Sequence, residues 1–411
     1  MPKIVPLSVL QAAVDLMVKH NGKRSEAARE GKINPSTLFS RIEQARVKGI
    51  GPSAKVEKDV EKDVNALKYR LKKAESEIKA HESSLVINDQ ILGIIGSLAK
   101  KASDITPPEW VISPNIKASS PGAPTLFLSD WHWGEMVSPS QINGVNKYSM
   151  AIAKQRLHEA GDRAIKLLKI ISPKMDYPGL VMPLGGDMVS GNIHDELTAT
   201  NEMNSMPVLL DIFGELVALI TRMADVFGKV FLPCVSGNHG RNTTKIWNKD
   251  RHATSFDWLL YQLLAKRFEG DDRVTFLIPE GPDAFYKIYN YKYLLTHGDQ
   301  FRGGDSMIGC LGPIIRGDHK KRSRNGQIDM EYDMMIMGHW HQYIHHSRVI
   351  VNGSGIGYNE YAYNNNFGFE EPQQALWITH PEHDITFRMP INLARQKKQI
   401  STKWVSIKSN V

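Results

Sequence analysis

Five times along this chain a short apolar run ends and hands a polar side chain to the residues that follow. That recurrence limits the possible folds more than any other feature. Residues 124–129 lead into Asp130-Trp131-His132, residues 179–184 into Gly186-Asp187, and residues 229–235 into Gly237-Asn238-His239. Residues 291–296 lead into His297-Gly298-Asp299, and residues 332–337 into Gly338-His339-Trp340-His341. Each run is short enough for a buried strand, and open sheets collect ligands at the carboxyl ends of their strands. Asp130 and His132 stand two apart, so an extended chain would point both to one side. A single strand end with one satisfied polar residue is commonplace. Five in succession, all carrying Asp, Asn or His, predict an α/β domain that assembles a site from its loops. Carboxylate and amide oxygens mixed with imidazole nitrogens, and no thiolate, suit Mn²⁺, Fe or Zn²⁺ better than the all-oxygen sites of Ca²⁺ or Mg²⁺.

In order, the islands read D-x-H, G-D, G-N-H, H and G-H-x-H. Over residues 120–390 or so this resembles the calcineurin-like metallophosphoesterases. The resemblance implies a four-layer αββα sandwich, two divalent ions and hydrolysis of phosphoesters. It places one ion on Asp130, His132, Asp187 and His341, and a second on Asp187, Asn238, His297 and His339, so that Asp187 bridges. Manganese is the favoured metal, with Fe or Zn²⁺ as alternatives. His239 is left as general acid or hydrogen-bond donor to the transition state. Two ions about 3.5–4 Å apart would share a hydroxide and clamp the phosphoryl oxygens, while a histidine near its ordinary pKa of about 6.5 would protonate the leaving alkoxide. One departure stands out: Gly240 occupies the place where the family usually has the Asp or Glu that orients this histidine.

The first fifty residues point to a partner. They hold nine Lys/Arg against four Asp/Glu, within a formal net charge of +7 for the whole chain. A basic surplus favours polyanions without proving one. Residues 9–20 read as a helix, Ser25 opens a second, and Asn34-Pro35-Ser36 begins a third, with Asn34 as N-cap and Pro35 at the first helical position. The stretch is similar to the helix-turn-helix of Fis-like and resolvase-like DNA-binding proteins, except that Gly31-Lys32 stands where Leu-Gly is usual. That resemblance implies that Ser36, Thr37, Ser40 and Arg41 reach the major groove or phosphates, and that Lys23, Arg24 and Lys32 touch the backbone. A helical protein-interaction bundle with a solvated basic face is the other reading.

After a linker at 49–55, Val56, Val60, Val64, Leu67, Leu71, Ala74 and Ile78 recur at the spacing of a coiled-coil seam. A homodimer through residues 56–83 is the expectation, with a helix packed on its own catalytic domain as the alternative. The predicted organisation is therefore 1–50 helix-turn-helix, 56–83 coiled coil, 84–123 a helix and Pro-rich linker, and 124–411 the phosphoesterase domain.

Residues 316–324 carry five Lys/Arg in nine positions and are read as a loop beside the metal centre. Arg316, Lys320, Lys321 and Arg322 there, with Arg241, are candidate phosphate contacts, against the plainer reading of a solvated loop. Trp131, Trp133 and Trp340 are expected to pack behind the ligands, and His194 and Asp195 to lie at the cleft rim. Residues 352–357 and the Tyr/Asn-rich stretch after them read as a mobile loop, and the last two strands as an antiparallel pair closing the second sheet. No run of some 18 uncharged apolar residues suggests a membrane span. Met1-Pro2-Lys3-Ile4-Val5-Pro6 lacks the pattern of a signal peptide. With only Cys234 and Cys310 present, a reducing, cytoplasmic setting is expected.

These readings leave three functions: a nuclease delivered to DNA by its N-terminal module, a phosphatase or small-molecule phosphodiesterase with a regulatory module, and a DNA-binding regulator with a scaffold domain. Complete ligands weigh against the third.

Overall fold

The computed structural model describes residues 5–53, 65–75, 107–113, 120–193, 195–303 and 309–394. Two compact units divide the chain, residues 1–91 and 92–411.

In the first unit, helices α1 (Leu7–Lys19), α2 (Arg24–Glu30) and α3 (Pro35–Val47) close on a small core of Ala13, Ala27, Ala28 and Leu38, flanked by Leu16, Met17, Ile33 and Ile42. Asn34 caps α3 by accepting from the Ser36 amide at 3.0 Å, the arrangement its sequence predicts. The turn between α2 and α3 needs one left-handed residue, and that residue is Lys32 (φ 50°), while Gly31 stays in the right-handed region. Gly31 is small for another reason: a Cβ there would lie 2.8 Å from Leu16 Cδ1. Leu16 thus fills the volume that a leucine at 31 would have taken. Of the predicted coiled coil, only residues 65–75 lie among the described residues. They are helical, with Leu67 and Leu71 exposed. The rest of that seam and most of the predicted helix and linker at 84–123 lie outside them.

The second unit is built on two mixed sheets. The first has strand order β11-β10-β1-β2-β3-β4. Here β1 (Ala123–Phe127), β2 (Leu180–Val181), β3 (Val230–Pro233) and β4 (Val274–Leu277) run parallel. The second has order β5-β6-β7-β9-β8, namely β5 (Asp283–Ile288), β6 (Tyr291–Thr296), β7 (Met334–Met337), β8 (Ile344–His345) and β9 (Val349–Val351). The final pair, β10 (Gln373–His380) and β11 (Asp384–Asn392), is antiparallel as expected, but it joins the first sheet through β10 and β1. Alternation along a strand says which face is buried, not which sheet receives the strand.

The inner faces of the two sheets share one core, in which Phe127, Val181, Phe231, Ala375 and Trp377 meet Tyr286, Tyr293, Leu295, Met334, Ile336 and Ile350. Helices α4 (Met150–Ile171), α5 (Ser205–Phe227) and α6 (Phe256–Arg267) accompany the first sheet, with α4 against β11 and α5 against β2 and β3. On the outer face of the second sheet, Ile314 of α7 (Leu311–Gly326) packs with Leu294, Met335, Met337, Val349 and Val351. β7 is therefore buried on both sides, which is why Met334-Met335-Ile336-Met337 is uninterruptedly apolar.

Two further sequence expectations change. Residues 316–324 form part of α7, not a loop. Residues 352–357 are buried: Asn352 donates to Ser129 Oγ at 2.9 Å and accepts from the Ala375 amide at 2.8 Å, and the Gly355 amide donates to the Asp130 carbonyl at 3.0 Å. Glycines and asparagine suggest mobility in a bare sequence, yet here they permit close packing beneath Asp130. Among the described residues, no helix is long and apolar enough to cross a membrane, and both cysteines are free thiols.

Candidate metal centre

β1, β2, β3, β6 and β7 end on one edge of the double sheet, and the loops leaving them bring the five islands together. Three sets of donor atoms, Asp130–His132–His341, His132–Asp187–His239 and Asp187–His297–His339, each fall within 4.8 Å of one another. His132 Nε2 stands 3.1 Å from His341 Nε2, and His297 Nε2 lies 3.0 Å from Asp187 Oδ2 and 3.2 Å from Asn238 Oδ1. Asp130, His132, Asp187 and His297 are all but completely buried, while Asn238, His239, His339 and His341 form the partly open side.

The backbone that delivers them is not extended. Asp130 (φ 55°), His132 (46°), Asp187 (49°), His339 (69°) and His341 (53°) all occupy the left-handed region. Non-glycine residues rarely sit there, with Asp, Asn and His the most tolerant side chains, and such strain, on the order of 1–3 kcal/mol per residue, gathers at functional sites. Asp130 and His132 therefore converge because the chain coils back on itself after β1, not because they alternate on a strand. The turns also need bare neighbours: a Cβ on Gly338 would lie 2.2 Å from Asp130 Oδ2, and one on Gly237 would lie 2.1 Å from Asp187 Oδ1.

Two rings are aimed by a carbonyl at the far nitrogen, and a third faces a carboxylate. His297 Nδ1 donates to the Gly185 carbonyl at 2.8 Å, His239 Nδ1 donates to the Ser190 carbonyl at 3.2 Å, and Glu135 Oε2 lies 3.4 Å from His132 Nδ1. A carbonyl only accepts, so the first two rings carry hydrogen on Nδ1 and turn Nε2 inward, as metal-binding imidazoles do. Asn359 donates in turn to Glu135 Oε1 at 2.8 Å. Burial pushes the Glu135 carboxyl up to about 7. The carboxylates are held as firmly: Asp130 accepts from the Ser129 hydroxyl at 2.5 Å and the His339 amide at 2.9 Å, and Asp187 Oδ1 accepts from the His239 amide at 2.7 Å.

The electrostatics fit divalent cations. Burial holds His132 and His239 below the ordinary imidazole range and His339 down at about 4, so these rings are neutral and ready to donate electron pairs. Burial would lower His297 as well, but the carboxylates of Asp187, Asp130 and Asp299 push it up to about 10. The field that retains a proton on a fully buried ring is one that favours a cation.

Sequence reading missed several supporting residues, chiefly Asp257, the second residue of α6. Fully buried, it accepts from the Asp187 amide (2.9 Å), the Met188 amide (3.1 Å) and the Gly237 amide (2.9 Å). Burial and the Asp187 carboxylate push its carboxyl up to about 6, against the pull of those amides. No motif surrounds it; the only local signal is Ser255, which caps α6 by accepting from the Trp258 amide. Glu135 was more legible, because it follows His132 by three residues.

The candidate phosphate contacts divide. Arg241 donates to the Asn238 and Thr243 carbonyls (2.9 and 3.1 Å) and lines a cleft beside Asn238 together with Trp247 and Arg251. Arg316 and Lys320 lie on the exposed side of α7. Lys321 is instead buried in an ion pair with Asp283 at 2.5 Å, and Arg322 pairs with Asp318 at 2.8 Å and donates to the Tyr332 carbonyl at 2.7 Å. Trp131 and Trp133 are fully buried, Trp133 donating to Asp211 at 2.7 Å. Trp340 packs against the outer core of the second sheet. His194 lies outside the described residues, and only the backbone of Asp195 is described.

In the first unit, Lys23, Arg24, Lys32, Ser36, Thr37 and Ser40 are exposed and Arg41 is half-buried. Arg24 lies over the Phe39 ring at 4.1 Å, and Lys23 pairs with Glu26 at 3.3 Å.

No protein-family profile matches this chain, and no curated protein sequence does. Among solved structures it is similar to a predicted phosphoesterase from Streptococcus pneumoniae, at 10% identity and TM-score 0.24 over 66% of this chain and 97% of that one. A Vps29 single mutant from Entamoeba histolytica aligns at 12% identity and TM-score 0.27, over 66% and 99%. A putative 5'-nucleotidase from Staphylococcus aureus aligns at 12% identity and TM-score 0.30, over 67% and 55%.

Proposed function

We propose that the chain is a binuclear metallophosphoesterase of the calcineurin-like family that hydrolyses phosphodiesters, with DNA as its substrate. The observation that carries the reading is the convergence of seven donors, from five strand ends, on one partly open centre. Asp130, His132, Asp187 and His341 would hold one ion, and Asp187, Asn238, His297 and His339 the other. When bound, such ions polarise phosphoryl oxygens and lower the pKa of water towards neutrality. Asp187 is suited to bridge, because its Oδ1 is fixed by the His239 amide while Oδ2 faces His297. His239, neutral in the free site, would take up a proton beside a bound phosphate anion before acting as the acid. Its Nδ1 is committed to the Ser190 carbonyl, so the hydrogen exchanged with a leaving alkoxide sits on Nε2. Orientation by that carbonyl removes the need for the acidic residue that Gly240 replaces.

DNA is favoured by the exposed polar face of α3 and the basic surplus around it, read as a helix-turn-helix. A second reading, a small phosphoester as substrate, is favoured by the ion pairs of Lys321 and Arg322, which withdraw two cations from backbone binding.

A substrate panel separates them: single- and double-stranded DNA, RNA, a chromogenic diester and a monoester, each with Mn²⁺, Mg²⁺ and Zn²⁺. Cleavage of DNA with Mn²⁺, abolished in Asp187→Ala, is expected. Turnover of small esters with no action on any nucleic acid would reject the nuclease reading, and activity surviving in Asp187→Ala would mark a contaminant.

A further inference from the structure

Gly240 and Asp257 occupy one volume. A Cβ built on Gly240 would stand 3.0 Å from Asp257 Cγ and 3.1 Å from its Oδ1. The Phe256 amide donates to the Gly240 carbonyl at 2.7 Å, pinning the start of α6 against this residue. The Asp257 carboxylate then spans two loops: Oδ2 accepts from the amides of Asp187 and Gly237 together, and Oδ1 from Met188. Those loops deliver Asp187 from the end of β2 and Asn238 from the end of β3, two donors of the same predicted ion. A buried carboxylate with three amide donors is rigid, because any displacement strands at least one buried N–H without a partner.

We infer that Asp257 is a positioning residue that sets the separation of Asp187 and Asn238, and that its carboxylate takes the volume into which a side chain at position 240 would project. Glycine stands at 240 because Asp257 fills the space its side chain would need. The inference rests on the metallophosphoesterase reading of the site. It makes the two positions reciprocal: an acid belongs at one or the other, never at both.

The test is a mutant cycle on the full chain, comparing wild type with Asp257→Asn, Asp257→Gly, Gly240→Asp and the double variant Gly240→Asp/Asp257→Gly. Mn²⁺ affinity and stoichiometry are measured by calorimetry, and the electron paramagnetic resonance spectrum reports the spin coupling of two bound Mn²⁺ ions. Asp257→Asn keeps the size but turns an amide donor towards backbone N–H groups. It should weaken Mn²⁺ binding by about 10–100-fold, disturb the coupled spectrum, and lower kcat more than it raises KM. Each single change should lie well below wild type, while the double variant recovers most of the lost affinity, a coupling that independent sites would not show. A folded Asp257→Asn with wild-type affinity and spectrum overturns the positioning role. A folded double variant no better than the poorer single variant overturns the exchange between positions. If the double variant does not fold, Asp257→Asn alone decides the positioning role and the exchange is rejected. If the wild-type chain itself binds no Mn²⁺, the metal reading has failed, which is distinct from either result.

Discussion

A left-handed backbone at Asp130, His132, Asp187, His339 and His341 is unfavourable to folding, and it lets the chain leaving three strands, β1, β2 and β7, turn its side chains back to one point. That these Asp, Asn and His side chains come together was legible in the sequence, because candidate ligands are restricted to a few residue types at fixed spacing. Their holders were not. Asp257, Ser190 and Gly185 act through distance and through backbone carbonyls or amides, which no residue type announces. This division predicts how His239 should respond to mutation. His239→Ala removes the proton carrier while leaving the donors of both predicted ions in place, so kcat should fall by about 10²–10⁴-fold with Mn²⁺ content unchanged. The loss should be greatest for diesters with poor leaving groups, since a good leaving group departs without protonation. A variant that loses metal in proportion to activity would make His239 a ligand, and one with unchanged kcat would remove it from the chemistry.

At the scale of elements, apolar runs gave the strands because burial on both faces leaves little freedom of composition, as in β7. Polar helices were harder to read. Residues 316–324 are so basic that a solvated loop was the natural expectation, but α7 turns Lys321 inward to Asp283, where Arg324 joins it at 2.9 Å. Burial alone would raise the Asp283 carboxyl, yet Lys321 and Arg324 hold it below its ordinary 3.8, while burial pushes the Lys321 ammonium down. A depressed carboxyl contributes stability that is complete above its unfolded pKa and is lost as pH falls through the folded value. The melting temperature should therefore decline as pH drops below about 4, and less steeply in Asp283→Asn. Lys321→Ala, leaving a buried carboxylate with one ion-pair partner, should lower the unfolding free energy by about 3 kcal/mol, with KM for a small diester unchanged. Unchanged stability with a raised KM would instead return Lys321 to the substrate.

For the whole molecule, the sequence reading expects a basic N-terminal module ahead of a phosphoesterase domain, and the contacts divide the chain into two units, residues 1–91 and 92–411. Each has its own core, Leu38 with Ala13, Ala27 and Ala28 in one and the double sheet in the other. The sequence could not give the sheet that receives β10 and β11, because that choice is made by long-range pairing of β10 with β1. The two units have separate cores, and that separation has a consequence for function. If the head binds DNA and the body cuts it, removing residues 1–50 takes away phosphate contacts whose worth depends on salt, and leaves the metal centre intact. DNA affinity near 0.1 M salt should fall by about tenfold or more, with a shallower dependence of log affinity on log salt. Turnover of a chromogenic diester should stay within about twofold of wild type, because a small ester engages only the metal centre and the few groups around it. Filter binding across a salt series, run beside diester kinetics on the same preparations, makes both measurements. Equal loss of both would mean that the two units act as one catalytic body. Unchanged DNA affinity would assign the three helices to protein partners and leave the basic cleft around Arg241 and Arg251 to hold the nucleic acid.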